Sequence, residues 1–350
     1  MYIYYQFFIS ILALLSSLFD KKTKFVVSSI LAIFVIIISG LRGNNIGADD
    51  FKYLEYFKQA IESNNIIDYF NDIYFERGFT FLIYIQSNLF GYEFVFLVIS
   101  IFSVIIAIYA NYILDRDNYI LFSSCFFITG FFWVGFVHIR FGLAISIFFL
   151  SYAYLYRGSF YKSIFVFILS VLIHNAILLL VPIYLIDRYN AKFNRINLSI
   201  ILFGSMILKS IGFFKLLISN IISLGVLNPA YAVLFESKYG NMVSMFQLGN
   251  MKFILIALIV LYSRKVYEKQ CVFFIIYVSI MFVCSDINIV SSRLSSILMF
   301  IEPFVIYTTL RKFKIKSFVK YIIVLLYCFS YGLYLTEIKN ILPSYEFLNL

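Results

Sequence analysis

Apolar residues run along this chain in continuous stretches of about 17 to 24, the length a helix needs to cross roughly 30 Å of hydrocarbon, and basic residues punctuate them. Lipid offers a backbone no hydrogen-bond partners, and the runs are continuous rather than alternating, so helices are predicted and a barrel is not. With the basic clusters placed inside, the spans fall at 2–19, 25–41, 94–114, 119–136, 141–156, 163–186, 196–208, 212–227, 253–263, 272–285, 294–310 and 318–335. The first is read as a retained span, because its positive charges, Lys21, Lys22 and Lys24, follow the apolar run instead of preceding it. This predicts an all-α polytopic membrane protein of about 12 transmembrane helices, both ends outside, forming one integral domain over 1–350. The weakest part of the pattern follows Asp187, where Arg188, Lys192 and Arg195 land on the outward side. Either 196–208 is not a full span or those cations meet something anionic.

Two segments break the apolar pattern. The outward loop 42–92 begins with RGNNIGADDFKYLEYFKQAIESNNIIDYFNDIYFER, which gathers Asp49, Asp50, Glu55, Glu62, Asp68, Asp72 and Glu76. Its second half, 78–90, is apolar but only about 13 residues long, which suits an interfacial or re-entrant helix. A second outward loop is placed at 228–250, with Asn228-Pro229 as its turn signal.

Composition agrees with the membrane reading: 63% hydrophobic, 13% charged. The formal charge of +10 belongs to the ends of apolar runs and forms no basic face, so nucleic acid is not an expected partner. Cys125, Cys271, Cys284 and Cys328 sit in or beside apolar runs without any CxxC spacing, as buried thiols do.

Polar groups within or bordering spans are costly and mark function by default. Arg42 ends the second span, Arg140 begins the fifth just after His138, Arg293 begins the eleventh after Asp286, and His174 lies within LIHNAILLLVP. All are placed on the outer side, where three arginines and a titratable ring make an anion cradle. The plainer readings are snorkelling anchors for the arginines and a satisfied hydrogen-bonder for the histidine. Glu55, Glu62 and Asp68 read as the wet face of an amphipathic helix. Asp49 and Glu76 stand beside Gly47 and Gly78, whose turns can aim a carboxylate; their plainer readings are a helix N-cap and a solvated charge.

Arg42, Gly47, Asp49 and Tyr53 in RGNNIGADDFKY, Glu76 with Gly78 and Phe79, Arg140 with Ala144 in IRFGLA, His174 in LIHNAILLL and Arg293 in SSRLSSI resemble, in order and spacing, the EpsG family, which is grouped with the Wzy-type polymerases of bacterial O-antigen, capsule and exopolysaccharide. The chain departs from that pattern at Phe141, often glutamine, and at Asn175, commonly small or hydroxylated. The resemblance implies a glycosyltransferase of the cytoplasmic (inner) membrane, its active site facing the periplasm or exterior, with a GT-C-like arrangement. Such an enzyme transfers a growing undecaprenyl-diphosphate-linked glycan onto a lipid-linked repeat unit. Asp49, Glu76 or His174 would act as base; Arg42, Tyr53, His138, Arg140 and Arg293 would hold diphosphate and glycan. Since a diphosphate leaves without an acid, an inverting, metal-independent reaction with no cofactor is expected, although Asp49-Asp50 leaves room for a divalent ion. The expected partners are the lipid-linked oligosaccharide, the bilayer and a polysaccharide chain-length regulator. The competing classes are a lipid-linked oligosaccharide flippase or transporter and an O-antigen ligase.

Overall fold

A computed structural model describes residues 2–43, 46–47, 50–63, 65–73, 75–131, 138–188, 193–223, 248–263, 268–311 and 313–338. The second outward loop, 228–250, lies almost wholly outside them. The described residues are helical, with no strand among them. Contacts divide the chain into two units, residues 1–181 with 316–350 and residues 182–315.

The first unit holds α1 (Tyr2–Ser16), α2 (Lys21–Gly40), three helices of the acidic loop, α3 (Asp50–Glu62), α4 (Ile66–Asp72) and α5 (Arg77–Phe90), then α6 (Val95–Leu114), α7 (Tyr119–Cys125) continuing as a wider turn Phe126–Phe131, α8 (Ile139–Tyr156) and α9 (Phe160–Ile173). Asp20 caps α2, accepting from the Thr23 amide at 3.1 Å, and its hydrogen bonds from Thr23 hold its carboxyl below the usual carboxylate range. Gly158, at φ +78°, makes the tight reversal between α8 and α9 that a Cβ would oppose. Across that reversal Ser151 Oγ donates to the Ser163 carbonyl at 2.6 Å and Ser163 Oγ to the Ser151 carbonyl at 2.7 Å. Arg157 ties the same end of α8 to α6 by donating from Nε to the Ile113 carbonyl at 2.7 Å.

Thus α2, α6, α8 and α9 run alternately up and down. One end collects Gly40, Val95, Ile139 and Ile173; the other collects Lys21, Leu114, Tyr156 and Phe160. α16 (Ser317–Leu333) packs on α1 and α7, and Tyr321 OH donates to Asn118 Oδ1 at 2.7 Å. The acidic loop folds down as a lid: Tyr69 OH donates to the Tyr56 carbonyl at 3.0 Å, and burial pushes the Tyr69 phenol above its usual range.

In the second unit, α10 (Val181–Arg188), α11 (Arg195–Ser210), α12 (Phe213–Ser223), α13 (Leu248–Tyr262), α14 (Lys269–Val283) and α15 (Asn288–Leu310) follow in order. Lys252 on α13 pairs with Glu302 on α15 at 2.8 Å, with the Glu302 side chain 1% exposed. A buried charge is held this way because an unpaired one would cost several kcal/mol.

Helix length does not confirm the expected count of about twelve spans. Among the described residues, six helices are long and apolar enough to cross a membrane, or seven if the bent pair α11 and α12 is one span. That pair, expected as two successive spans, turns by 67° at Ile211–Gly212, with Gly212 at φ +67°. The run 163–186, expected as one helix, is cut at His174 into α9, a 3₁₀ turn Asn175–Leu180 and α10. Counting apolar residues misses such breaks because side chains on both sides of them stay apolar. On several of these helices apolar groups face outward mid-helix, as at Ile33, Phe165, Ile200 and Leu326. Such exposure is unfavourable in water and neutral in lipid.

Candidate active site

α5 begins at a residue that does not cap it. Glu76 takes the N-cap position in extended backbone, and its side chain makes no capping bond. Its carboxylate instead reaches across to two other segments. Oε2 accepts from Arg140 Nη1 in the first turn of α8 at 2.6 Å, and Oε1 accepts from the Asn175 amide at 2.9 Å. The imidazole of His174 lies alongside, Nδ1 to Oε1 3.6 Å.

The Asn175 amide is available because α9 ends there. His174 is its C-cap, extended at φ −156°, and opens the following 3₁₀ turn, whose first amides have no partner within the helix. Nδ1 of His174 accepts from the Ala176 amide at 3.1 Å. That bond and an ion pair with Glu76 compete for one nitrogen. The shorter and better-formed Ala176 bond defines the resting state, with a neutral ring carrying its proton on Nε2. Protonation at Nδ1 would exchange the Ala176 bond for Glu76.

Aromatic rings enclose the pair. The Arg140 guanidinium lies 4.3 Å from the Phe75 centroid and 6.0 Å from that of Phe79, a favourable cation–π arrangement. Phe141 meets His174 edge to face at 5.2 Å. Glu76, Arg140 and His174 are 13%, 19% and 13% exposed. They are shielded yet reachable, unlike a structural pair sealed in the core. Of the five N–H donors of Arg140, one is engaged by Glu76, and no described group bonds Nε.

The other expected site residues are placed as follows. Arg42 is fully buried: its Nη2 donates to Asp50 Oδ1 at 2.6 Å with both side chains 0% exposed, and its Cζ lies 4.7 Å from the Phe96 centroid. Asp50 also accepts from the Gly47 amide through Oδ2 at 2.6 Å. Among the described residues Asp50 is the carboxylate that meets Arg42; Asp49 lies outside the described residues. Tyr53 is buried on α3, its ring packed against Phe57, Phe75 and Phe79, one layer behind the wall that faces Arg140. His138 is the half-buried N-cap of α8, two residues before Arg140. Arg293 stands in the first turns of α15, in the second unit.

Sequence reasoning missed Asp50, Phe75 and the Asn175 amide. A signal existed for Asp50: a carboxylate three residues past a capping position reaches back to that position's amide, the spacing of Gly47 and Asp50. A signal for the Asn175 break existed in Pro182, since proline is accommodated in the first turn of a helix and not in its middle.

A bundle of apolar helices with an arginine, a carboxylate and a histidine gathered at one end defines a multi-pass membrane protein with a cluster of polar groups at that end. The profile of the EpsG family matches residues 25–349, and the chain belongs to that family, the family of Wzy-type polysaccharide polymerases. No curated protein and no solved structure matches the chain.

Proposed function

We propose that the protein polymerises a bacterial surface polysaccharide, moving a growing glycan from its undecaprenyl diphosphate carrier onto a lipid-linked repeat unit at the outer face of the cytoplasmic membrane. The observation that carries this reading is the Glu76 carboxylate bound at once to Arg140 and to the helix break at His174–Asn175, which brings three distant segments to one end of the bundle. Charge supports the orientation: Lys21, Lys22, Lys24, Arg116, Arg157 and Lys162 collect at the far end, while the acidic lid lies at the end with Glu76.

In the reaction the acceptor hydroxyl attacks the anomeric carbon and the bond to the diphosphate oxygen breaks. The bonding electrons stay with the diphosphate, and the hydroxyl proton goes to a base. Arg140, anchored through Nη1, turns its remaining donors to the diphosphate oxygens, where a preorganised guanidinium stabilises charge as it develops. Both oxygens of Glu76 are engaged, so Glu76 acts as a positioning group. His174 is the proton acceptor in its other tautomer: with the ring proton on Nδ1, the Ala176 bond is exchanged for one to Glu76 Oε1, and the freed Nε2 takes the proton from the hydroxyl. Asp49 remains a second candidate for activating the acceptor, and His138 and Arg293 for holding glycan and diphosphate. Arg42 and Tyr53, buried as they are, serve by holding the lid. Attack opposite the leaving group gives inversion, and a diphosphate leaves without a metal or an acid.

The test is a gene deletion complemented with Arg140→Ala or His174→Ala, with surface polysaccharide resolved on a gel. Both variants insert at normal levels and yield single capped repeats without a ladder. Full ladders from both would refute the site. The competing classes give different products: loss of a flippase leaves no surface glycan, and loss of a ligase leaves polymer on the lipid carrier.

A further inference from the structure

At the end of the bundle away from Glu76, α2 and α6 part. Near Glu76 they touch closely: a Cβ on Gly40 would come within 2.7 Å of Leu97 Cα. Toward Lys21 and Leu114 they open into a groove of about 680 Å³. Its apolar length on α2, from Ile36 down to Lys21, is roughly 22 Å at about 1.5 Å per residue. Ala32 lines it together with isoleucines of both helices. The only hydroxyls on the α2 side, Ser28 and Ser29, both donate to the Phe25 carbonyl, at 2.8 and 3.0 Å. Along α2 the slot therefore presents hydrocarbon, which offers a soluble polar ligand nothing to bond on that side.

The mouth is different. Lys21, Lys24 and Arg116 line it, and no acid does. Of the neighbouring acids, Asp20 accepts from Thr23 through its amide and hydroxyl, Asp115 accepts from Asn118 and the Asp117 amide, and Asp117, next to Arg116 in sequence, is not part of the lining. The cations are held at the rim. Lys24 Nζ donates to the Asp117 carbonyl at 2.9 Å, Tyr119 OH donates to the Lys24 carbonyl at 3.1 Å, and the Arg116 guanidinium lies 5.5 Å from the Tyr112 centroid. Cations and phenols at the rim of a hydrocarbon slot complement one class of ligand: an amphiphile with an anionic phosphate head.

We propose that this groove is a binding site for an anionic diacyl phospholipid of the bilayer, its phosphate among Lys21, Lys24 and Arg116 and one acyl chain in the slot between α2 and α6. The lipid fills the space where the two helices diverge and fixes their separation at that end. The site is separate from the Glu76 cluster and stands whether or not the polymerase reading holds.

The test uses the full-length protein in nanodiscs of phosphatidylcholine with an equal share of phosphatidylglycerol, analysed by native mass spectrometry after release. The wild type retains phosphatidylglycerol in preference to phosphatidylcholine. Lys21→Ala/Lys24→Ala/Arg116→Ala weakens that retention on the order of 100-fold, three rim cations being removed. Because removing cations at this end can also disturb insertion, Ala32→Phe, which blocks the slot and leaves every charge in place, is the second variant, and it too loses the lipid. Equal retention of the two lipids by the wild type overturns the proposal, as does undiminished phosphatidylglycerol on Ala32→Phe or on a correctly inserted triple variant. If the lipid co-purifying from cell membranes in this groove is a polyprenyl phosphate, the assignment to a diacyl lipid is wrong.

Discussion

Gly78→Ala tests whether the Glu76 cluster depends on how closely α5 approaches α9. A Cβ at Gly78 would stand 2.7 Å from the Leu172 carbonyl oxygen, 2.8 Å from its Cβ and 2.9 Å from its carbonyl carbon. Ordinary contact begins near 3.4 Å, so the two helices must separate by about 0.7 Å or distort, an overpacking that costs about 1 to 3 kcal/mol. Gly78 is two residues past Glu76, and Leu172 two residues before His174, so the displacement falls directly on the Asn175 amide bond to Glu76 Oε1. That bond, now 2.9 Å, would lengthen to about 3.6 Å, outside hydrogen-bonding range. Misplacement of a catalytic group by about 1 Å costs on the order of 100-fold in rate. The expected outcome is an inserted protein whose polysaccharide ladder falls by about 10- to 100-fold, measured on a gel and normalised to membrane protein by immunoblot. Gly204→Ala is the control, because a Cβ there meets open space. Leu172→Ala should not rescue, since every atom in the clash is present in alanine. A normal ladder from Gly78→Ala, or rescue by Leu172→Ala, would refute the reasoning.

The Arg42–Asp50 pair predicts a loss of a different kind. Removing either partner leaves a buried charge unpaired and costs about 3 to 5 kcal/mol, read as a lowered melting temperature in detergent for Arg42→Ala and for Asp50→Ala, with Asp50→Ala hurting stability more than Glu55→Ala on the same helix. Glu76→Gln keeps the size but loses the charge and one of two acceptors, so its NH2 faces either Arg140 or the Asn175 amide, both of them donors; it should lower stability by about 1 to 3 kcal/mol, the cost of a shielded donor left unsatisfied, while abolishing the ladder, and a polymer-competent Glu76→Gln would remove the histidine–carboxylate couple. Arg140→Lys keeps the charge and loses the fork, and is expected to restore less than a tenth of the ladder, because a bidentate phosphate contact is not reproduced by an ammonium. Ser151→Ala and Ser163→Ala each remove one of two reciprocal bonds between α8 and α9 and should cost about 0.6 kcal/mol apiece, the average for such bonds within membranes, in a thermal unfolding series.

The helical, membrane-crossing character of the chain was legible because length and apolarity act additively along a run. The breaks were not. His174 sits in LIHNAILLL, where apolar residues flank it on both sides and periodicity continues, yet its own side chain bonds the Ala176 amide and competes with the helix for that donor. Arg42 and Arg140 were legible as charges at span boundaries because charge beside an apolar run is conspicuous. What separates them, a sealed pair for Arg42 and a partly open one for Arg140, depends on the lid folding back onto α6 and α8, and no local pattern reports that. Phe141 shows the same limit. The sequence marks it only as a departure from glutamine, and its ring packs edge to face against His174.

The two arginine–carboxylate pairs also argue for which end of the lid does chemistry. Asp50 is bonded by its own loop through the Gly47 amide as well as by Arg42, and both side chains of the pair are shut off from solvent. Glu76 gives up the local capping bond that an N-cap side chain ordinarily makes, worth about 1 kcal/mol, and spends both oxygens on groups more than sixty residues away in sequence. A carboxylate retained only to start α5 would serve better as aspartate or serine, whose shorter side chains reach the amides of the first turn. The longer side chain is explained by what it reaches: a guanidinium with donors to spare and an imidazole poised between two partners. Glu76→Asp separates these purposes. It should improve the cap while falling short of Arg140 and Asn175 by about one methylene, so a variant as stable as the wild type and devoid of polymer is expected, and one that polymerises normally would show that the reach of Glu76 serves only the fold.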